Sequence, residues 1–428
     1  MLQQGLSSAL YLIDNVMVGQ LGETAIAAVG VSNQLTFLMQ VFGFGINSGA
    51  GIFAAQYWGR NDTDGIHRIE GISLILSFCV GVVFMTAALA FGTQMADIFS
   101  NDPAVIALSA KYLAIAGWSY LFQLVAQSLG IILRACGDAV LPMVSTLAGV
   151  LVNGVLNYIF IFGKLGFPAM GVEGAALATL IAAAVNTSVL IVVSAKRRNA
   201  VAASLRKLFS FTRSMFREFL TVSLPVFANE SLWSVGMSMY TVLWGILGTN
   251  TQAAMQIYST VDKIGFIMMA GLGSAAGVIN GNCIGEGAVD RARLYANRML
   301  TITPMAVLCL GGIMQLLAPA FMGLFHVLPE VSQMALSVIR VYCAAMFIYS
   351  LNYTIIIGTL RAGGDTLYAS FTDLSGHWLI SIPAAFFCGL VLKLPVWAVF
   401  LSTVSGDLVK AAVGIHRVRT GKWIRRLD

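Results

Sequence analysis

The stretch Leu133-Arg134-Ala135-Cys136-Gly137-Asp138 returns as Leu360-Arg361-Ala362-Gly363-Gly364-Asp365, 227 residues later. Around it the chain repeats more loosely. Gly19-Gln20-Leu21-Gly22 meets Gly245-Ile246-Leu247-Gly248 at a shift of 226. At that shift Ala27 and Ala28 fall on Ala253 and Ala254, Gly45 on Gly271, Ser48 on Ser274, Gly51 on Gly277 and Gly59 on Gly285. Glycines coincide by chance in a glycine-rich chain, but a shared L-R-A-x-G-D does not. The chain is an internal duplication of a unit of roughly 220 residues.

Each copy is apolar. Only 10% of the 428 residues are Asp, Glu, Lys or Arg, against about 25% in soluble proteins. Hydrophobic types make up 58%, and mean hydropathy is +0.83. A soluble chain of this size needs more polar surface, and disorder, collagen and coiled coil are excluded by the same numbers. Long unbroken apolar runs argue against an outer-membrane barrel, whose strands alternate. The runs fall near 2–21, 25–57, 70–96, 104–133, 141–163, 173–195, 218–247, 252–285, 293–323, 331–360, 367–392 and 395–415. The expected fold is an all-α integral membrane protein of twelve spans.

Twelve spans and a duplication give six per copy. An even number makes the copies enter the membrane with the same orientation, as two parallel repeats around a central cavity, with rocking of one against the other as the motion. The expected organisation is an N-lobe at 1–195, a basic linker at 196–217 and a C-lobe at 218–428. The linker carries Lys196, Arg197, Arg198, Arg206, Lys207, Arg213 and Arg217. On this scheme 19 basic residues fall on the linker's side and four on the other, namely Lys111, Lys164, Lys393 and Arg340. The positive-inside rule then places the linker and both termini in the cytoplasm of a multi-pass plasma-membrane protein. The shift of 226 aligns Met1 with Phe227. Span one therefore lacks the counterpart of the first ten or so residues of span seven, and the native span is expected to begin upstream.

Cys79, Cys136, Cys283, Cys309, Cys343 and Cys388 form no C-x-x-C pair. They read as small buried hydrophobes, without a disulfide framework or a zinc site. No signal-peptide cleavage pattern is visible. The glycines of spans two and eight read as positions of close helix packing.

Ionisable residues deep in spans are expensive and are functional candidates. Asp14, Glu230, Asp262 and Asp373 stand in apolar surroundings. Asp14 corresponds to Tyr240 in the second copy, and Glu230 to Gln4, so the copies are chemically unequal. A lone carboxylate in an apolar cavity holds a proton or, with neighbouring oxygens, Na+. Asn153 and Asn157 lie at i and i+4 on one face of span five. They can complete a cation site with Asp14, with interhelical hydrogen bonding as the alternative for all three. Asp262 and Lys263 are adjacent and point about 100° apart, so they do not neutralise each other, and a structural ion pair of Lys263 with a carboxylate on another helix is the favoured reading. His377, one turn from Asp373, reads as a packing histidine that can also relay a proton.

Several of these residues lie in motifs that resemble the multidrug and toxic compound extrusion (MATE) family of cation-coupled antiporters. The motifs are D-N-V-M-V-G-Q-L-G at 14–22, A-A-Q-Y-W-G at 54–59, L-R-A-C-G-D at 133–138, N-Y-I-F-I-F-G at 157–163, L-P-V-F-A-N-E-S-L-W at 224–233 and L-R-A-G-G-D at 360–365. They span the chain. The resemblance implies two six-helix lobes and export of organic cations in exchange for Na+ or H+. By position it implies that Asp14 is the N-lobe cation-site acid, that Asn153 and Asn157 are its partners, with Na+ as a candidate ligand of all three, and that Glu230 is the span-seven acid. Thr179 is a further candidate ligand, and Tyr240, Trp233 and Asp373 are candidates for the substrate cavity. One branch of the family has a carboxylate in place of Asn157, so its proton chemistry does not carry over. Some members have a further acid in span ten, where this chain has Ser350 and Asn352.

The alternative is a flippase for lipid-linked oligosaccharides, which shares the topology. Its pyrophosphate substrates call for a basic cavity, and the deep charges here are mostly acidic. A P-loop, H-E-x-x-H and G-x-S-x-G are all missing, so neither an ATP-driven pump nor an intramembrane enzyme is supported. The expected partners are small organic cations and the bilayer, with no cofactor and no nucleic acid, and the expected state is a monomer.

Overall fold

The structure is a computed structural model, described here over residues 16–323 and 327–427. Among those residues it is helical, with one isolated β-bridge between Gly364 and Ile424. Twelve helices carry the architecture: α1 (Glu23–Gly59), α2 (Thr63–Phe99), α3 (Pro103–Ala116), α4 (Ser119–Ala135), α5 (Val140–Phe162), α6 (Gly171–Arg197), α7 (Arg213–Ile246), α8 (Thr249–Gly285), α9 (Val289–Met322), α10 (Pro329–Arg361), α11 (Thr366–Val391) and α12 (Val396–Arg419). A single turn, Leu205–Leu208, lies between α6 and α7. Most of the first expected span, 2–21, lies outside the described residues. Its end, 16–19, is helical.

Nine described helices are long and apolar enough to cross a membrane, and ten if α3 and α4 form one span bent by 53°. The bend falls at Gly117 and Trp118. A Cβ at Gly117 would lie 2.9 Å from Ala88 Cβ, so α4 starts hard against α2. Helix α7, with Pro225 inside it, is not among the nine. Helices α1, α2 and α8 have 37 residues each, about 55 Å at ~1.5 Å per residue. They exceed the hydrocarbon core and must tilt or project from it. Large apolar side chains stand exposed along them and their neighbours, among them Phe78, Val83, Leu316 and Leu379. That surface suits lipid.

Two compact units divide the chain, one from Leu2 to Phe227 and one from Ala228 to Asp428. The division lies inside α7, downstream of the 196–217 linker. In the first unit, here the N-unit, Phe219 stacks on Phe53 and Phe227 meets Phe42 edge-on. Gly43, Gly45, Gly49 and Gly51 of α1 have no room for a side chain against Leu124, Phe227, Ser223 and Ile131. They are packing positions, and so are Gly273 and Gly277 of α8 against α10. The linker's single turn is fastened to α2 by Lys207 on Asp64 at 2.7 Å and by the Leu208 carbonyl packed on Gly71. In the C-unit, Tyr258, Tyr342 and Phe400 form an edge-on aromatic cluster within the core.

The duplicated motif is a helix stop. Gly137 and Gly364 both have a left-handed backbone (φ 86° and 81°). In the first copy Asp138 N donates to Leu133 O (2.9 Å) and Gly137 N to Arg134 O (3.0 Å). In the second, Asp365 N donates to Leu360 O (3.0 Å) and Gly364 N to Arg361 O (2.9 Å). This is the Schellman arrangement, in which a left-handed residue lets the last carbonyls find donors. Asn61 and Gly287, 226 positions apart, also share a left-handed backbone.

The C-terminal segment returns to this motif. Arg425 N donates to Gly363 O at 2.8 Å, and Trp423 is fully buried against Gly363. The carboxylate of Asp365, itself fully buried, pairs with Arg417 at 2.8 Å and Arg425 at 2.7 Å.

Candidate functional site

Helices α1, α3, α4, α5 and α6 of the N-unit enclose a cavity of about 350 Å³. Its wall carries the carboxamides of Asn33, Gln40, Gln123, Gln127, Asn153 and Asn186, the hydroxyls of Thr36, Tyr120 and Thr179, and Arg134. Carboxylates are missing from the described lining. Asn153 and Asn157 are both fully buried. Asn157 Nδ2 donates to Asn153 Oδ1 at 3.0 Å, and Asn153 Nδ2 reaches Thr179 Oγ1 at 3.5 Å. Thr179 Oγ1 in turn donates to Ala175 O at 3.0 Å. Three of the residues singled out in sequence thus form one polar chain across α5 and α6, opening on the cavity through Asn153 and Thr179. The i, i+4 spacing on α5 produces it directly. Asp14 lies outside the described residues.

A second polar set lies in the C-unit. Arg361 Nη1 donates to Glu230 Oε1 at 2.8 Å, with only 2% of the arginine side chain exposed. Lys410 Nζ bridges Asp373 at 3.2 Å and Asp407 at 2.7 Å. Asn229 Nδ2 donates to the other oxygen of Asp373 at 3.0 Å. Asn352 Nδ2 donates to Asp407 Oδ1 at 3.1 Å and to its carbonyl at 2.8 Å. Glycine makes the bridge reachable. Gly376 of α11 and Gly406 of α12 pack backbone to backbone, and the Lys410 stem crosses Gly376. The surrounding helix is irregular, with π-helical turns at Ile356–Arg361 and Gly376–Ser381 carrying Arg361 and His377. Such turns re-aim side chains at the cost of regular hydrogen bonding. His377 lies edge-on to Tyr240, ring centroids 5.4 Å apart. Trp233, a turn before Gly236, is half-buried.

The structural ion pair expected of Lys263 with a carboxylate on another helix is not found among the described residues. Lys263 is exposed, and Asp262 faces the hydroxyls of Tyr258 and Tyr342. Tyr120 lines the N-unit cavity, whereas its near neighbour Trp118 is exposed and is not part of the lining. Sequence reasoning missed Asp407 and Lys410. Their signal was legible as opposite charges at i and i+3 inside the apolar run 395–415.

The MatE family model matches residues 1–159 and 225–387. The chain belongs to the MatE family. MatE relatives match over nearly the whole length. "Uncharacterized transporter YisQ" of Bacillus subtilis is 24% identical over 96% of this chain and 90% of its own. "Probable multidrug resistance protein NorM" of Thermotoga maritima is 26% identical over 97% and 89%. The fold agrees with the solved structure of a MATE in the bent conformation, with a TM-score of 0.89 at 23% identity over 99% of this chain and 94% of that one. It agrees equally with an outward-facing multidrug resistance MATE family transporter, with a TM-score of 0.88 at 22% identity. The all-α, twelve-span class read from the sequence is the class of these MatE transporters, and the chain is a multi-pass membrane protein.

Proposed function

We propose that the chain is a secondary active antiporter that exports organic, mostly cationic, small molecules across the cell membrane in exchange for Na+ or H+. The observation that carries this reading is the polar chain Asn157–Asn153–Thr179 opening on the 350 Å³ cavity. Asp14 is the acid proposed to join it. A buried carboxylate with amide and hydroxyl oxygens beside it binds a small cation or a proton. The ion and the organic cation then bias one conformational equilibrium in opposite directions, and each drives out the other. Multidrug resistance, in the name of the Thermotoga maritima relative, supports the substrate class. The linker and both termini are proposed to be cytoplasmic from the basic-residue asymmetry, and the active form is proposed to be a monomer without a cofactor.

The test is transport into inverted vesicles. Ethidium should accumulate when a Na+ or an H+ gradient is imposed, and Asp14→Asn should abolish this at equal protein level. Failure of both gradients to drive any organic cation would end the reading. Arg134 in the cavity wall favours one second reading, the flippase, because a cationic wall suits a pyrophosphate. Translocation of a lipid-linked pyrophosphate sugar in the same vesicles, without ethidium transport, would establish it.

A further inference from the structure

The C-unit polar set has the form of a filled cation site. Two carboxylates converge there, Asp373 from α11 and Asp407 from α12, and the carboxamide of Asn352 from α10 donates its N–H to Asp407. A fourth group, Asn229, comes from α7. What they surround is the chain's own ammonium, Lys410 Nζ, at 2.7 and 3.2 Å from two carboxylates and only 8% exposed. Each carboxylate takes one bond from the ammonium and one from a carboxamide. Asn229 Oδ1 and Asn352 Oδ1 are buried and accept nothing from the described residues, on side chains 1% and 4% exposed. Two carboxylates 2.7 and 3.2 Å from one centre, each steadied by a carboxamide N–H, are a donor set for a monovalent cation. The nearby pair Glu230–Arg361 is already neutral within itself.

We propose that the ammonium of Lys410 is the resident cation of a C-unit site built from Asp373, Asp407, Asn229 and Asn352, and that this tethered cation bars Na+ from the site. Coupling-ion traffic is then confined to the N-unit. The inference rests on the antiporter reading only for that last step, since occupancy of the C-unit site is a property of the protein at rest. The physical reason is charge. Two carboxylates brought together out of water demand a counter-ion. A lysine three residues from Asp407 supplies one that does not diffuse away. A free Na+ must displace it while it remains attached, at high effective concentration.

Equilibrium dialysis of the purified full chain in detergent with radiolabelled Na+ tests this independently of transport. In an Asp14→Asn background, Lys410→Met should gain one bound Na+ per chain. Adding Asp407→Asn should remove it again. Lys410→Arg, which keeps the tethered charge, should gain none. A monodisperse Lys410→Met protein without added Na+, or a gain in Lys410→Arg, would overturn the proposal. If Lys410→Met does not fold, the chain with Lys410 intact still decides. Asp373→Asn should then bind as much Na+ as its parent, and a lower stoichiometry would show that Na+ already uses the site. Failure of the wild-type chain to transport under either gradient, with these binding counts obtained, would remove the antiporter reading and leave the occupied site standing.

Discussion

Arg361 and Glu230, 131 positions apart, form an ion pair at 2.8 Å in which the guanidinium is 2% exposed. Removing the carboxylate leaves a buried cation without its partner, which costs about 3–5 kcal/mol in comparable sites. Glu230→Gln should therefore unfold at a lower temperature than wild type in a thermal scan of the purified protein. Glu230→Gln with Arg361→Met should recover part of the loss, because the two side chains touch and their effects do not add. If the double variant is no more stable than the sum of the singles, the pair contributes nothing.

Gly376 and Gly406 set the spacing of α11 and α12. A Cβ on either would overlap the other's backbone or the Lys410 stem. Overpacking of this kind costs about 1–3 kcal/mol. Gly406→Val is expected to reduce the yield of monodisperse protein in fluorescence-detected gel filtration. Among the described residues, nothing lies within 4 Å of the Cβ position of Gly154 in α5. Gly154→Ala should be stabilising by about 0.5–1 kcal/mol through helix propensity alone.

Asn153 holds the polar chain of the N-unit together, donating to Thr179 and accepting from Asn157. Asn153→Leu removes both bonds and leaves buried groups unsatisfied, at about 1–3 kcal/mol each. Ion-driven ethidium efflux in vesicles should fall by about tenfold or more, since ~1.4 kcal/mol of lost ion binding is already tenfold. Thr179→Val should fall less, because its hydroxyl also spends its proton on Ala175 O. Equal effects of the two would place the cation elsewhere.

The orientation is testable by labelling. Cys79 and Cys309 are exposed and must be replaced first. Single cysteines at Arg198 and at Lys164 should then behave oppositely in intact cells toward an impermeant maleimide. Lys164 is expected to label and Arg198 to stay protected until the cells are opened. The reverse pattern would invert the topology.

The sequence made the duplication legible because a Schellman stop needs a left-handed residue, and Gly137 and Gly364 keep that requirement in both copies. Apolar runs located α8 to α12 because lipid selects them directly. The N-unit polar chain was legible for the same kind of local reason, as Asn153 and Asn157 share a helix face. The C-unit set was not. Its members come from α7, α10, α11 and α12, and no local period announces that Lys410 reaches Asp373. Lys263 misled because a cation in an apolar run suggests a carboxylate partner on another helix, whereas its side chain is exposed and has no ion pair among the described residues.

The docked C-terminal segment has a practical side. Trp423 is sunk beside Gly363 and Leu427 is 6% exposed, so any chain continued past residue 427 departs from a seated residue. A reporter fused without a spacer would pull on the clasp around Asp365. The brightness of such a fusion would then report the state of that clasp as well as the amount of protein made.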